Sequence, residues 1–327
     1  MKEVRWGIIG CGDVVERKSG AAFNRIPDSR LVAVMRRDGA KAADFARRHG
    51  VPKWYDDAGK LIEDPEVNAV YIATPPGSHA RYAIRAMRAG KPVYVEKPMA
   101  LNEAECRDMI AASQTNGQPI FVAYYRRALP FYEKIRSLLE MEAIGAVRLV
   151  NLQLHLPLRE EEQGPNARPG WRVNPAISGG GHFHDLGSHQ FDFLEYALGP
   201  IRVAGGIAAN QAGAYEVEDV VTAVFEFESG ILGTGSWCFT APDMQQMDVT
   251  EILGSRGKIT FSFFGPPVLH IETEGGLVEN VEIPHPEPIQ LPMITQVVDH
   301  LLGRGICLST GDSGMRATML LDQICGR

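Results

Sequence analysis

Short apolar runs alternate with helix-length segments through the first third of the chain. Residues 4–9, 31–35, 69–73, 92–95 and 120–123 are close to continuously apolar, as suits strands of a parallel sheet covered on both faces. Between them the pattern predicts helices over residues 14–23, 40–48, 79–89 and 102–115. Asn102 stands where an N-cap starts a helix, and Gly50, Gly90 and Gly117 stand where helices stop. Alternation of this kind implies a doubly wound parallel sheet.

After residue 123 the pattern changes. One more helix is expected over 130–141 and a long strand over 147–156. An irregular stretch containing Pro157, Pro165, Pro169 and Pro175 leads to a helix near 187–197. Strands then follow at 203–209, 220–227, 231–239, 247–253, 258–263 and 268–272. Short turns such as Glu228-Ser229-Gly230 join them, the mark of an antiparallel sheet. Helices near 289–302 and 314–324 close the chain. The expected class is α/β, with a dinucleotide-type domain over 1–123 and a second, α+β domain over 124–327.

Composition narrows the partners. A chain of 327 residues, 45% hydrophobic and 22% charged, has the length of two ordinary globular domains. Its net charge of −7 provides no basic field for nucleic acid or anionic lipid. The cysteines Cys11, Cys106, Cys238, Cys307 and Cys325 are odd in number and lack a CxxC pair, which suits free thiols in a reducing cytoplasm. No apolar run approaches the roughly 20 residues of a membrane span. The N-terminus enters a strand within a few residues, so a cytoplasmic location without a signal peptide is expected. The charged run Arg159-Glu160-Glu161-Glu162-Gln163 reads as a solvated loop.

Chemistry enters first at Gly10-Cys11-Gly12-Asp13-Val14-Val15, between the first strand and the first helix. Gly10 and Gly12 allow a tight turn and close approach of backbone to a pyrophosphate, with Asp13 and Val14 opening the helix. Val15 replaces the third glycine of the dinucleotide fingerprint. The second strand ends in Arg36-Arg37-Asp38, where an NAD site usually places a carboxylate. Arginine suits a 2′-phosphate and can stack on adenine, whereas Asp38 comes two residues later. NADP(H) is therefore expected in preference to NAD(H), with Arg36 and Arg37 as its readers unless both are plain surface charge. Thr74 follows the next buried strand and is placed near the nicotinamide half. His79, at the start of the following helix, reads as a capping or packing histidine on the same edge. Glu96, Lys97 and Pro98 end the next strand. A lysine there can be desolvated enough to act catalytically, although many lysines beside prolines are solvated loop residues. Thr74, His79, Glu96 and Lys97 complete the expected cofactor-lining set.

The densest chemistry lies in Gly179-Gly180-Gly181-His182-Phe183-His184-Asp185-Leu186-Gly187-Ser188-His189. Asp185 and His189 are four apart, which puts both on one helix face if the helix has begun by residue 185, and a histidine beside a carboxylate is a common acid/base pair. The triple glycine lets backbone pass close to a ligand. A divalent metal site and a purely structural cluster are the alternatives. No HExxH-type spacing supports the first, and no metal is expected.

The glycine loop, Glu96-Lys97-Pro98 and Gly179-Gly180-Gly181…Asp185-x-x-x-His189 in this order resemble the glucose-fructose oxidoreductase/inositol dehydrogenase (Gfo/Idh/MocA) family over essentially the whole chain. The runs Ala89-Gly90-Lys91-Pro92-Val93-Tyr94-Val95 and Trp171-Arg172…Ser178 add to the likeness. The resemblance implies an N-terminal Rossmann domain and a C-terminal domain with a large open sheet, often used to build a homo-oligomer, here a dimer or tetramer. It places Lys97 near the nicotinamide and the substrate hydroxyl, often with a cis bond before Pro98. It makes His189 the general base and Asp185 its orienting partner. Tyr125, Arg126, Trp171 and Arg172 would face cofactor or substrate. The implied activity is NAD(P)-dependent hydride transfer on a sugar, polyol or related diol. A glycoside hydrolase using transient oxidation by NAD and a non-catalytic nucleotide sensor are the alternatives.

Overall fold

The computed structural model describes residues 1–164, 167–276 and 278–327; Pro165 of the irregular stretch lies outside the described residues. The chain forms two compact units, one of Met1–Tyr125 with Pro286–Thr318 and one of Arg126–His285 with Met319–Arg327. The change of sequence pattern places Pro286–Thr318 in the second domain, whereas its contacts put it in the first unit.

In the first unit β1 (Val4–Ile9), β2 (Ser29–Met35), β3 (Lys53–Tyr55), β4 (Ala69–Ile72), β5 (Val93–Val95) and β6 (Ile120–Val122) form one sheet in the order β3-β2-β1-β4-β5-β6. Every pairing in it is parallel. The apolar runs became strands because both faces are covered, so β4 and β5 are buried throughout. β3 escaped the pattern: it has three residues, and its Trp54 is half-exposed.

Helix ends follow the caps that the sequence announced. The Asp38 carboxylate accepts from the Lys41 N–H at 3.2 Å to start α1 (Gly39–His49), and Gly50 closes it with φ 65°. After α2 (Ala58–Glu63) and α3 (His79–Arg88), Asn102 caps α4 (Glu103–Asn116) in the same way. The expected helix over 14–23 is different. Val15–Ser19 forms one wide π-type turn, closed by the Gly20 N–H on the Val15 carbonyl, and a 3-10 turn at Gly20–Ala22 follows. A side chain at residue 20 would meet the Val15 carbonyl oxygen at 2.6 Å, so only glycine permits this close turn.

The second unit opens with α5 (Pro130–Glu140) and β7 (Val147–His155), followed by the short α6 (Pro175–Ser178) and α7 (His182–Leu198). β8 (Ile201–Ala209), β9 (Val220–Phe227), β10 (Leu232–Cys238), β11 (Met247–Gly254), β12 (Gly257–Phe261), β13 (Val268–Thr273) and β14 (Val278–Glu282) complete an eight-stranded sheet in the order β14-β13-β12-β11-β7-β10-β9-β8. Among the described residues only β7 and β10 pair in parallel in this sheet; the other pairs are antiparallel.

α7 covers one face of this sheet. Phe183 and Phe191 pack on Trp237 at ring separations of 4.8 and 5.8 Å, and the Trp237 indole N–H donates to Gln190 at 2.7 Å. The helix starts five residues before the expected 187 because Gly187 is an interior position. A methyl there would meet the Phe183 ring at 3.0 Å. Asp192 is held by Arg127 through bonds of 2.9 and 2.7 Å, a buried bidentate pair. Burial pushes the Asp192 carboxyl up to about 6 against the pull of that guanidinium.

The opposite face of the sheet is open. Register aligns Val203, Glu226, Leu232, Leu149, Leu253, Lys258, Glu272 and Val278 in one row across it. Its β8–β10 end also exposes Ile207 and Val224, at 75% and 65%, whereas toward the far edge Lys258 and Glu272 lie between Leu253 and Val278.

The chain then returns to the first unit. α8 (Leu291–Leu302) leads to α9 (Gly311–Cys325), whose residues from Met319 onward belong to the second unit. The Ser309 hydroxyl donates to the Val122 carbonyl at 2.7 Å and the Ser309 carbonyl accepts from the Val122 N–H at 3.0 Å. That pairing occupies the open edge of β6.

Candidate active site

In the first unit the loops of interest converge for a topological reason. β2, β1, β4 and β5 are consecutive neighbours in a parallel sheet, so their carboxyl ends lie along one edge. The strand order reverses between β1 and β4, where such sheets bind ligands. Gly10-Cys11-Gly12 follows β1, Arg36 follows β2, Thr74 follows β4 and Glu96-Lys97 follows β5.

The glycine turn fits a dinucleotide. Gly10 has φ +95°, and a side chain there would meet Thr74 at 2.8 Å and the Ala73 carbonyl oxygen at 2.9 Å. Its N–H and that of Cys11 donate to the Met35 carbonyl at 2.9 and 3.2 Å, fixing the turn to β2. Gly12 differs, because a methyl there would find nothing nearer than the Gly10 carbonyl oxygen at 3.9 Å. Backbone at Gly12 is thus approachable, as a pyrophosphate requires. Val15, in the third-glycine position, is buried. Asp13 is exposed and pairs with Arg17 at 2.8 Å.

Past β2, Arg36 is half-buried and Arg37 exposed. Burial pushes the Cys11 thiol up to about 11, and the positive charge of Arg36 opposes it. The Asp38 carboxylate is committed to capping α1, and the Lys41 N–H holds it below the usual range. The Thr74 hydroxyl accepts from Ser78 at 2.7 Å. His79 is fully buried, with one ring nitrogen 2.6 Å from the Thr74 carbonyl and the other 3.1 Å from that of Pro98. Burial keeps its imidazole below the ordinary range, against carbonyl contacts and the Glu96 carboxylate that pull it up. The ring therefore bridges the loops after β4 and β5. Lys97 precedes a cis peptide bond to Pro98, and Tyr125 is buried at the end of this stretch of the unit.

In the second unit the geometry gathers Arg172, Asp185, Arg126 and His189. Asp185 and His189 share a face of α7, one turn apart. The Asp185 carboxylate accepts from the Arg172 guanidinium at 2.9 Å, and that guanidinium lies over the Trp171 ring at 4.5 Å. His189 is buried and faces Phe264 at a ring separation of 6.3 Å. Arg126 stacks on the same Phe264 at 4.7 Å and donates to the Phe263 carbonyl at 3.0 Å. No motif pointed to Phe264, since an aromatic just past a strand reads as core.

The neighbouring histidines have other tasks. His182 bonds the Glu162 carboxylate at 2.7 Å, and burial holds its imidazole below the usual range. Glu162 itself is buried, so the acidic run read as a solvated loop has one member turned inward. His184 meets Glu218 at 3.2 Å and Asp322 at 3.8 Å. Burial opposes its charged form, yet these two carboxylates outweigh that and raise its pKa. Among the described residues His184, Glu218 and Cys325 have ligand atoms within 4.8 Å of one another, the spacing of a metal site. The Arg327 guanidinium already bonds Glu218 and the Gly179 carbonyl there, and closes the group as an ion network.

Local packing also accounts for the triple glycine. Gly179 adopts φ +80° to end α6. A side chain at residue 180 would meet His184 at 2.0 Å, and one at 181 would meet Val217 at 2.7 Å. The chain's own packing thus requires glycines that the sequence reading assigned to close approach of a ligand.

Known proteins agree with this architecture. Residues 4–124 match the model of the oxidoreductase family with an NAD-binding Rossmann fold, and residues 132–260 match the GFO/IDH/MocA C-terminal domain. Oxidoreductase P35 of Formosa agariphila is 39% identical over 325 residues, covering 99% of this chain and 98% of that protein. The trans-1,2-dihydrobenzene-1,2-diol dehydrogenase of Bos taurus is 28% identical over 256 residues, covering 78% of this chain and 72% of that enzyme. A solved levoglucosan dehydrogenase in complex with NADH and levoglucosan superposes with a TM-score of 0.88 at 22% identity, covering 98% and 96% of the two chains. Fold and matches together define a nicotinamide-dependent oxidoreductase. The chain belongs to the Gfo/Idh/MocA family of NAD(P)-dependent dehydrogenases and reductases.

The two glycines of the first turn should separate folding from binding. Gly10→Ala should lower the melting temperature, because its methyl meets backbone. Gly12→Ala should melt within about 2 °C of wild type yet weaken NADPH binding by about tenfold, or roughly 1.4 kcal/mol. Fluorescence titration with NADPH checks this, and unchanged affinity in Gly12→Ala would contradict it.

Proposed function

We propose that this enzyme moves a hydride between a nicotinamide cofactor, preferably NADP(H), and the carbinol or ketone carbon of a sugar, polyol or cyclic diol. The observation that carries the reading is the shared carboxyl edge of β2, β1, β4 and β5, to which Gly12, Arg36 and Lys97 are all attached. The relatives support the substrate class, since one is a dehydrogenase of a cyclic diol and another of an anhydrosugar.

Bound at that edge, the nicotinamide supplies or accepts the hydride. The protein's residues manage the proton and the charge on oxygen. Lys97 donates a hydrogen bond to the substrate oxygen as negative charge develops on it. His189 takes the hydroxyl proton during oxidation and returns it during reduction. Asp185, held by Arg172, orients that exchange. Tyr125, Arg126 and Trp171 bind cofactor or substrate. Arg36 reads the 2′-phosphate, with Arg37 exposed beside it, and capping of α1 keeps Asp38 from competing for the ribose.

The enzyme acts as a homo-oligomer, a dimer or tetramer, in which the open face of the eight-stranded sheet meets a second copy. Support for this comes from Val203, Ile207, Val224 and Leu232, which are all more than half exposed at one end of that face.

Oxidation of trans-1,2-dihydrobenzene-1,2-diol and of levoglucosan, each with NADP+ and NAD+, tests the activity. At least one of them should be turned over, and kcat/KM should be higher with NADP+. Arg36→Ala should reduce that preference by about tenfold, the value of a charge-assisted bond. Equal efficiency with NAD+ in the wild type would overturn the preference. Lys97→Ala and His189→Ala should each lower kcat by roughly 10²–10⁴-fold, and near wild-type turnover in both would remove their roles. Sedimentation velocity should find an oligomer that Val224→Lys dissociates; a monomeric wild type would refute the interface.

A further inference from the structure

We infer that Gln290 is a positioning residue for Lys97, acting through the carboxylate of Glu96; the inference rests on the catalytic reading of Lys97. Glu96 is buried at 7% exposure, and a buried carboxylate costs several kcal/mol unless donors surround it. Here the donors are neutral. Tyr71 donates its hydroxyl to Oε1 at 2.6 Å, and Gln290 donates its amide N–H to the same oxygen at 2.7 Å. Oε2 accepts the backbone N–H of Lys97 at 3.3 Å. An apolar residue at position 96 would suit this core at lower cost. What the carboxylate adds is a tie on the peptide that carries the lysine.

The Gln290 amide has one satisfactory orientation. Its carbonyl oxygen accepts from the Tyr94 hydroxyl at 3.1 Å, which leaves the NH₂ group for Glu96. Burial and the Glu96 charge hold both phenols far above their ordinary range, so they stay donors. The backbone of Gln290 is fixed as well, its N–H donating to the Lys18 carbonyl at 3.2 Å. Lys18 lies in the π-type turn that follows the glycine loop. One fully buried glutamine therefore joins the turn after the glycine loop to the turn that bears Lys97. It arrives from the segment Pro286–Thr318, which explains physically why that segment packs in the first unit.

The test reads Lys97 directly. Wild type, Gln290→Met and Tyr94→Phe are trace-labelled with acetic anhydride, and the rate at each lysine is followed by peptide mass spectrometry. Loss of the tie should speed acetylation of Lys97 by roughly threefold or more, in line with one lost hydrogen bond. Lys41 and Lys60, both exposed, should label at wild-type rates. Tyr94→Phe removes only the hydroxyl that orients the amide, so it decides the matter if Gln290→Met does not fold. Wild-type labelling of Lys97 in the folded variants would overturn the inference. Kinetics on the probe diol distinguish the two levels. Gln290→Met should lower kcat with little change in KM. An inactive Lys97→Ala beside a fully active, normally labelled Gln290→Met would remove the role of Gln290 alone. A fully active Lys97→Ala would remove the catalytic reading on which it rests.

Discussion

A parallel sheet delivers the carboxyl ends of all its strands to one edge, and the chemistry of the first unit depends on that constraint. Residues 10, 36, 74 and 97 are far apart in sequence. They become neighbours because β2, β1, β4 and β5 are adjacent and run the same way. Each strand then contributes one turn: a glycine turn open to backbone approach, a guanidinium, a hydroxyl and a lysine. What remains is to hold the turns still. His79 bridges the loops after β4 and β5, while Glu96, Tyr71 and Gln290 fasten the peptide of Lys97.

Elements with strong local signals were legible in the sequence. Buried strands of the first sheet announce themselves as apolar runs, and Asp38, Asn102, Gly50 and Gly117 act where caps belong. β3 and α2 lacked such a signal, being short and partly exposed. The π-type turn at Val15–Ser19 was illegible for another reason. Its apolar spacing is that of a helix, and only the approach of Gly20 to the Val15 carbonyl selects the wider turn.

The candidate site divides along the same line. Lys97, Asp185 and His189 stand in motifs, which is why the sequence offers them as candidates, but not all of their supports do. Gln290 lies in no motif and is 193 residues beyond Lys97 (290 − 97). Phe264, which meets both Arg126 and His189, reads as one more core aromatic. The triple glycine was legible as a feature and its cause was not, because the atoms that forbid side chains there belong to His184 and Val217. Nothing in the spacing of His184, Glu218 and Arg327 reveals that they form one ion network.

The central claim is that a nicotinamide held at the carboxyl edge of the first sheet exchanges hydride directly with a substrate carbon. Reduction of a ketose by NADPH deuterated at carbon 4 of the nicotinamide, the 4R and 4S forms used separately and the product examined by mass spectrometry and NMR, tests it most directly. The account predicts one deuterium on the new carbinol carbon, transferred from one face of the nicotinamide only. Product formed without deuterium on that carbon from both forms, or label appearing in water, would contradict it.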